Sequence, residues 1–390
     1  MLKEVRGISR AEFQMRLDLC QKKLQHRQLD GAWIHQPASM FYLSGSGQDG
    51  YLFIPAEGAP CLFVSQDEER AREEAAWERI ILISGFQDLL ERWKDLGYGS
   101  LRRLGLEADV TSWKLFMRYQ KAFPQCVWED IGPDLRSLRM VKSSAEVEAL
   151  RRSAGRHAVV FRYIGEWIRP GMTELEIAAE FEWQARKLGH QGRVRYRGYE
   201  QGMPPGVVAA GPNAAHGAGY PWTLTGRGLS PLYPMGAGNR TWEEGQPLVI
   251  DYAGVYGDYL VDQTRVYFAG KVPASLHKAQ KVAEEIAALV AERARPGITA
   301  GELYELAFRK AREAGLAEHF MGWGRQAAYI GHGVGLELNE WPVLARGDRT
   351  VLVGGMVIAV EPKFVFPGIG AAGVEDTYVV TEQGAEPLTG

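Results

Sequence analysis

The stretch that decides the fold is Val249–Gly270, VIDYAGVYGDYLVDQTRVYFAG. Two runs rich in β-branched and aromatic residues flank Tyr256-Gly257, the pattern of a β-hairpin, yet each arm carries an aspartate, Asp251 and Asp262. Folding the arms about Tyr256-Gly257 predicts that the two carboxylates face one another directly on one side of the sheet, where like charges repel. A second stretch, residues 356–380 (MVIAVEPKFVFPGIGAAGVEDTYVV), reads the same way: a hairpin bent at Pro367-Gly368-Ile369, with Glu361 opposite Glu375. Opposed carboxylates in a largely apolar sheet destabilise it unless a cation or a shared proton compensates. A shared proton would account for one pair only. Four hard oxygen donors therefore predict one or two divalent cations, and His332, in the glycine-rich YIGHGVGLELNE (329–340), supplies an imidazole that favours manganese, iron, cobalt or zinc over calcium.

Working outward, each hairpin follows a copy of one motif. RPGMTELEIAAEFEWQARKLG (169–189) aligns without gaps on RPGITAGELYELAFRKAREAG (295–315), sharing a capping Thr (Thr173, Thr299) and a Glu three residues on (Glu176, Glu302). Each predicts a turn and a capped helix. Another capping box, Ser143 with Glu146, opens a long amphipathic helix over 146–167. Residues 10 to about 135 read as a separate α/β unit with helices over 10–28 and 66–77 and strands beginning at Gly31, Gly50, Cys61 and Arg79. The expected organisation is an α/β domain over 1–138 and an α+β catalytic domain over 139–390.

These residues resemble a known family. The order Asp251, Asp262, His332, Glu361, Glu375, with VDQTR, GHGVGL and GVED around them, is similar to that of the "pita-bread" metallopeptidases, and QLDGAWIHQPASMFYLSG (28–45) and LRMVKSSAEVEALRRSA (138–154) resemble the Xaa-Pro aminopeptidase, prolidase and creatinase branch. The resemblance implies two divalent metal ions, manganese foremost with cobalt, zinc or iron as alternatives. Asp251 would chelate one ion, His332 would bind the other, Asp262 and Glu375 would bridge them, and Glu361 would be both ligand and proton shuttle. It further implies hydrolysis of Xaa-Pro bonds in short peptides, by an aminopeptidase or a dipeptidase, and a homodimer whose N-terminal domain restricts entry.

Other positions depart from the family pattern. Asn339 stands where a second His is usual, Gly373 where an Arg is usual, and Lys363 where a Gly follows Glu-Pro. Asn339 is a candidate substrate contact. The upstream family His matches His216, a candidate catalytic residue, although the Gly- and Pro-rich stretch 222–240 reads as an insertion between it and Asp251. Tyr220, Trp222 and Trp341 are candidates for an apolar wall against a proline ring. Asp258 reads as a solvated turn residue, while Arg346 and Arg349 are candidates to replace the missing Arg. A creatinase-like hydrolase of a small C–N bond is the alternative function; a non-catalytic binding module would be marked by lost ligands, and none of the five is lost.

Composition bounds the rest. The 390-residue chain is 46% hydrophobic and 11% aromatic, enough for a sizeable core. With 45 Lys and Arg against 48 Asp and Glu, its net charge of −3 gives no broad pull toward nucleic acid or anionic lipid. The arginines of Arg193–Arg197 alternate as on the solvated face of a strand. Three cysteines without metal-site spacing, and a start lacking an apolar leader, predict a soluble cytoplasmic protein.

Overall fold

The computed structural model describes residues 8–198, 203–217 and 222–390, and the chain divides into two compact units, the first ending at Arg139 and the second beginning at Met140. In the first, strands β1 (Gly31–Ile34), β2 (Gly50–Pro55), β3 (Cys61–Val64), β4 (Ile80–Leu82), β5 (Arg103–Leu106) and β6 (Val127–Asp130) form one sheet ordered β4-β3-β2-β1-β5-β6. The sheet is mixed: β1 runs antiparallel to β2 and parallel to β5. β1 is buried at all four positions, as its unbroken apolar run requires, and Trp33, Phe53, Phe63, Trp93 and Tyr119 fill the core beside it. The helix expected over 66–77 covers only Glu68–Glu74. Asp67 caps its start, and its end is forced at Ala75, which is extended so that Trp77 can turn inward and donate its indole N–H to the Leu43 carbonyl.

The second unit repeats a helix-plus-hairpin design. Thr173 and Thr299 each head a complete capping box, for helices Glu174–Lys187 and Ala300–Glu313, and Ser143 heads a third for Ser144–Trp167. These boxes satisfy backbone N–H groups that would otherwise be left open at the helix starts. The first half supplies a sheet of β7 (Gly206–Ala210), β8 (Pro247–Val255) and β9 (Leu260–Phe268). From the second half come β10 (Tyr329–Gly333), β11 (Glu340–Ala345), β12 (Val357–Val360), β13 (Lys363–Phe366), β14 (Gly370–Gly373), β15 (Asp376–Thr381) and β16 (Gly384–Pro387). Five of these form a sheet ordered β11-β10-β12-β15-β16, and β13 pairs with β14 separately. A helix over Ala274–Arg293 packs with Ala300–Glu313 against the second half, burying Leu276, Ile286, Leu303, Ile358, Phe364 and Val380 in one cluster.

The first hairpin corrects the expected register. Asp251 pairs with Thr264, and Asp262 with Ala253, so the two aspartates are diagonal neighbours rather than directly opposed. The reason lies at the bend. Val255 pairs with Leu260, leaving residues 256–259 as the connection, because the Tyr256 and Tyr259 rings are buried and the Tyr259 hydroxyl donates to Glu146. A slip of two residues keeps both side chains on one face, so the convergence survives. The second hairpin has the expected register. Val360 pairs with Asp376 and Lys363 with Gly373, which puts Glu361 and Glu375 across from one another between these pairs.

Arg193–Arg197 is not a strand, and Arg197 is buried. The segment is instead held by residues 338 and 339: Leu338 donates its amide to the Arg195 carbonyl, and Asn339 bonds the Arg197 backbone.

Candidate metal centre

Two threonines bring the hairpins together. Thr264 and Glu375 form an isolated antiparallel bridge, and the Thr264 hydroxyl donates to Glu375 Oε2 at 2.7 Å. Thr377 meets Asp262 twice: its hydroxyl accepts from the Asp262 amide and donates to the Asp262 carbonyl. Arg265 adds a clamp through the Glu375 carbonyl and the Asp376 carboxylate. Backbone and short side chains thus fix where the acids stand, which is the rigid support a metal centre requires.

On one side of the cluster, Asp262, His332 and Glu375 offer ligand atoms that all lie within 4.8 Å of one another. His332 Nε2 stands 3.9 Å from Asp262 Oδ2, 3.7 Å from Glu361 Oε1 and 4.0 Å from Glu375 Oε1. These gaps are too long for hydrogen bonds but suit ligands around one ion at about 2.0–2.2 Å. His332 Nδ1 lies 3.1 Å from the Gly333 carbonyl; donating there leaves Nε2 as the acceptor that a cation needs. Glu375 Oε1 is buried with no hydrogen-bond partner in the described structure. The donor set fits a divalent cation.

The other side of the cluster holds a residue not singled out as part of the site by sequence reasoning. Lys363 Nζ donates to Asp251 Oδ2 at 3.0 Å, Glu361 Oε2 at 2.8 Å and Glu375 Oε2 at 2.9 Å. The side chain is buried, 4% exposed as a residue. Burial opposes its charge, but Asp251, Glu361 and Glu375 outweigh that and hold the ammonium well above the ordinary lysine range. Burial, with Glu375 and Asp251 adding to it, pushes the Asp262 carboxyl well above the usual range, and burial raises Asp251 despite Lys363. Asp262 makes no ion pair with Lys363, so its charge calls for another cation. The signal was present in the sequence: Lys363 is two residues beyond Glu361, hence on the same face, in the otherwise apolar strand KFVF.

The remaining candidates come from other segments of the chain. His216 follows the turn Gly211–Ala215 and is exposed, with its carbonyl accepting from the Thr225 and Gly226 amides. Tyr220 lies outside the described residues. Asn339 uses both atoms of its amide on the Arg197 backbone, at 2.7 and 2.9 Å, so it holds that segment rather than presenting an uncommitted amide to a substrate. Trp341 is half-buried at the start of β11, and Trp222 meets the Tyr196 ring edge-on. Arg346 lies over the Tyr304 and Phe308 rings of helix Ala300–Glu313 and donates to the Tyr304 hydroxyl, so its guanidinium is engaged with that helix. Arg349 is exposed, as is Asp258. The stretch expected as an insertion is tied down by buried Glu174, which accepts from Ala210, Asn213 and Gly238.

Comparison with known proteins shows the family and the fold. The pattern of metallopeptidase family M24 matches residues 148–382, and that of the creatinase/prolidase N-terminal domain matches residues 16–141. The chain is 33% identical over 370 residues to a probable dipeptidase PepE of Mycobacterium tuberculosis, covering 92% of this chain and 89% of that protein. It is 26% identical over 378 residues to an Xaa-Pro dipeptidase of Pyrococcus furiosus, covering 96% and 97%. Among solved structures, an Xaa-Pro dipeptidase from Bacillus anthracis superposes with a TM-score of 0.82 at 25% identity, covering 97% of both chains, and a prolidase from Pyrococcus horikoshii with 0.80 at 26%, covering 96% and 98%. The pita-bread architecture expected from the sequence is thus the fold of its structural neighbours.

Proposed function

The chain belongs to metallopeptidase family M24, and from that premise we propose that it is a metal-dependent Xaa-Pro dipeptidase, hydrolysing the bond before proline in short peptides. The observation that carries this reading is the convergence of Asp262, His332 and Glu375 on one position, with Glu361 Oε1 turned toward the same imidazole. A divalent ion held there supplies Lewis-acid activation of water and of the scissile carbonyl. Glu361 has one oxygen engaged by Lys363 and the other directed into the site, an arrangement suited to taking a proton from the attacking water and returning it to the leaving nitrogen. Lys363 keeps the neighbouring carboxylates in place during that exchange.

Manganese is the proposed ion because carboxylates dominate the donor set; the imidazole also admits cobalt, zinc and iron. His216, Trp222 and Trp341 are proposed to line the substrate side, and Tyr220 is proposed with them from sequence alone. A homodimer and a cytoplasmic location are proposed from the family resemblance; among the described residues, no helix is long and apolar enough to cross a membrane.

The test is hydrolysis of Ala-Pro, of a longer Xaa-Pro peptide and of creatine, by protein treated with chelator and then resupplied with Mn(II). Cleavage of Ala-Pro that disappears on chelation and returns with the ion is expected. Chelator-insensitive turnover of creatine alone would replace this reading with the creatinase-like one.

A further inference from the structure

We propose that the Lys363 ammonium occupies the place of one divalent ion, so that the chain takes a single exchangeable ion, on the Asp262–His332–Glu375 side, instead of the two that four carboxylates and an imidazole suggest. The inference rests on the metal-dependent reading above, and concerns how many ions serve it.

An ammonium has three N–H donors and no acceptor. Lys363 directs these donors at three carboxylates, within 2.8–3.0 Å of Asp251 Oδ2, Glu361 Oε2 and Glu375 Oε2. Asp251, the expected chelator of one ion, thereby has a lysine partner in that ion's place. A divalent ion bonded to the same three oxygens would stand about 2.0–2.2 Å from each. That position and Nζ share the same three oxygens, and two cations that close repel strongly in a buried pocket.

The two glutamates divide their oxygens between the two sides. Their Oε2 atoms face Lys363, while their Oε1 atoms lie 3.7 and 4.0 Å from His332 Nε2. Glu361 and Glu375 therefore bridge an ammonium and an ion site, where the sequence suggested a bridge between two ions. Formal charge agrees: against four carboxylates, one ammonium and one divalent ion leave a single negative charge, whereas an ammonium and two divalent ions would leave the buried cluster positive.

The strand opposite is shaped around the lysine. Lys363 pairs with Gly373 across β13 and β14, and a β-carbon built on Gly373 would come within 2.9 Å of both Cα and Cγ of Lys363 and 2.7 Å of the Pro362 carbonyl oxygen. A side chain at 373 would collide with the lysine stem and the backbone beside it. Lys363 and Gly373 are thus one coupled arrangement, which accounts for both departures from the family pattern together.

The experiment is to strip the full-length protein of metal, add Mn(II), remove loosely held ions by gel filtration, count the remainder by elemental analysis and record the EPR spectrum. One ion per chain with the spectrum of an isolated Mn(II) is expected. Lys363→Gly and Lys363→Ala are expected to retain two ions per chain and to show exchange coupling, as for metals about 3.5–4 Å apart. A coupled pair in the unmodified protein would overturn this inference while leaving the metal-dependent reading intact. No retained ion would overturn both, and so a failure of one is distinguishable from a failure of the other. A folded Lys363 variant that still holds one ion would also overturn it. The count on the unmodified protein decides the matter even if neither variant folds.

Discussion

The hairpin β8–β9 carries Asp251 and Asp262 on two unbroken nine-residue strands, whereas its counterpart around Glu361 and Glu375 is divided, with β12 and β15 in one sheet and β13 and β14 in another. Two residues beyond the first acid of each hairpin stand Ala253 and Lys363, on the same face as that acid. The one basic side chain of the first hairpin, Arg265, pairs with Asp376 of the second and not with Asp251 or Asp262. The second carries its own cation and uses it on both hairpins. Their outer supports differ as well: buried His157 holds the first through the Tyr252 carbonyl and the Tyr256 hydroxyl, and half-buried His319 holds the second through the Val365 carbonyl. On the proposed reading, the related halves solve one electrostatic problem asymmetrically, with a side chain on one side and an exchangeable ion on the other.

The comparison breaks most directly at Glu361, the acid that faces both Lys363 and the proposed ion site. Glu361→Gln is expected to lower kcat for Ala-Pro about 10²–10⁴-fold, the usual worth of a positioned proton carrier, as read from steady-state kinetics. Next come the two aspartates of the first hairpin. Asp262→Asn should abolish Mn(II) retention, while Asp251→Asn should retain the ion and lower stability by about 3 kcal/mol, because buried Lys363 loses a partner. Elemental analysis and urea unfolding separate these outcomes, and loss of the ion in both variants would show that the two sides are not distinct.

A smaller effect is expected at the joint between the hairpins. Thr264→Val removes the hydroxyl that holds Glu375 Oε2 and should weaken Mn(II) binding about 10–100-fold by titration calorimetry.

The last prediction concerns the support of the first hairpin. Burial pushes the His157 pKa down to about 3, against 6.5 for the ordinary side chain. Its native form is neutral, so the unfolded state binds the extra proton: its contribution is fully present above pH 6.5 and is lost as pH falls toward 3. Between pH 7 and pH 5 this amounts to about 2 kcal/mol. His157→Gln should flatten that part of the urea stability profile, and an unchanged slope would mean that another group carries it.

Local patterns made much of the molecule legible in the sequence. Thr173, Thr299 and Ser143 announce their helices because a capping box is complete within four residues. Turn residues at 367–369 set the second hairpin's register, and the observed pairs agree. The first hairpin slipped by two because its bend is fixed by tyrosines buried against other elements, a constraint that does not appear between residues 249 and 270. The bonds between Asn339 and the Arg197 backbone were illegible for a similar reason, since the two residues are remote in sequence.

By itself the sequence determined that two acid-bearing hairpins follow two capped helices, and that a cation must offset the acids, because alternation in a strand and the cost of buried charge are local and general. Only the tertiary structure decided which cation serves which acid. That choice depends on Thr264 and Thr377 docking one hairpin on the other, and on Gly373 leaving room for Lys363 to reach Asp251, distances that no single stretch of chain contains.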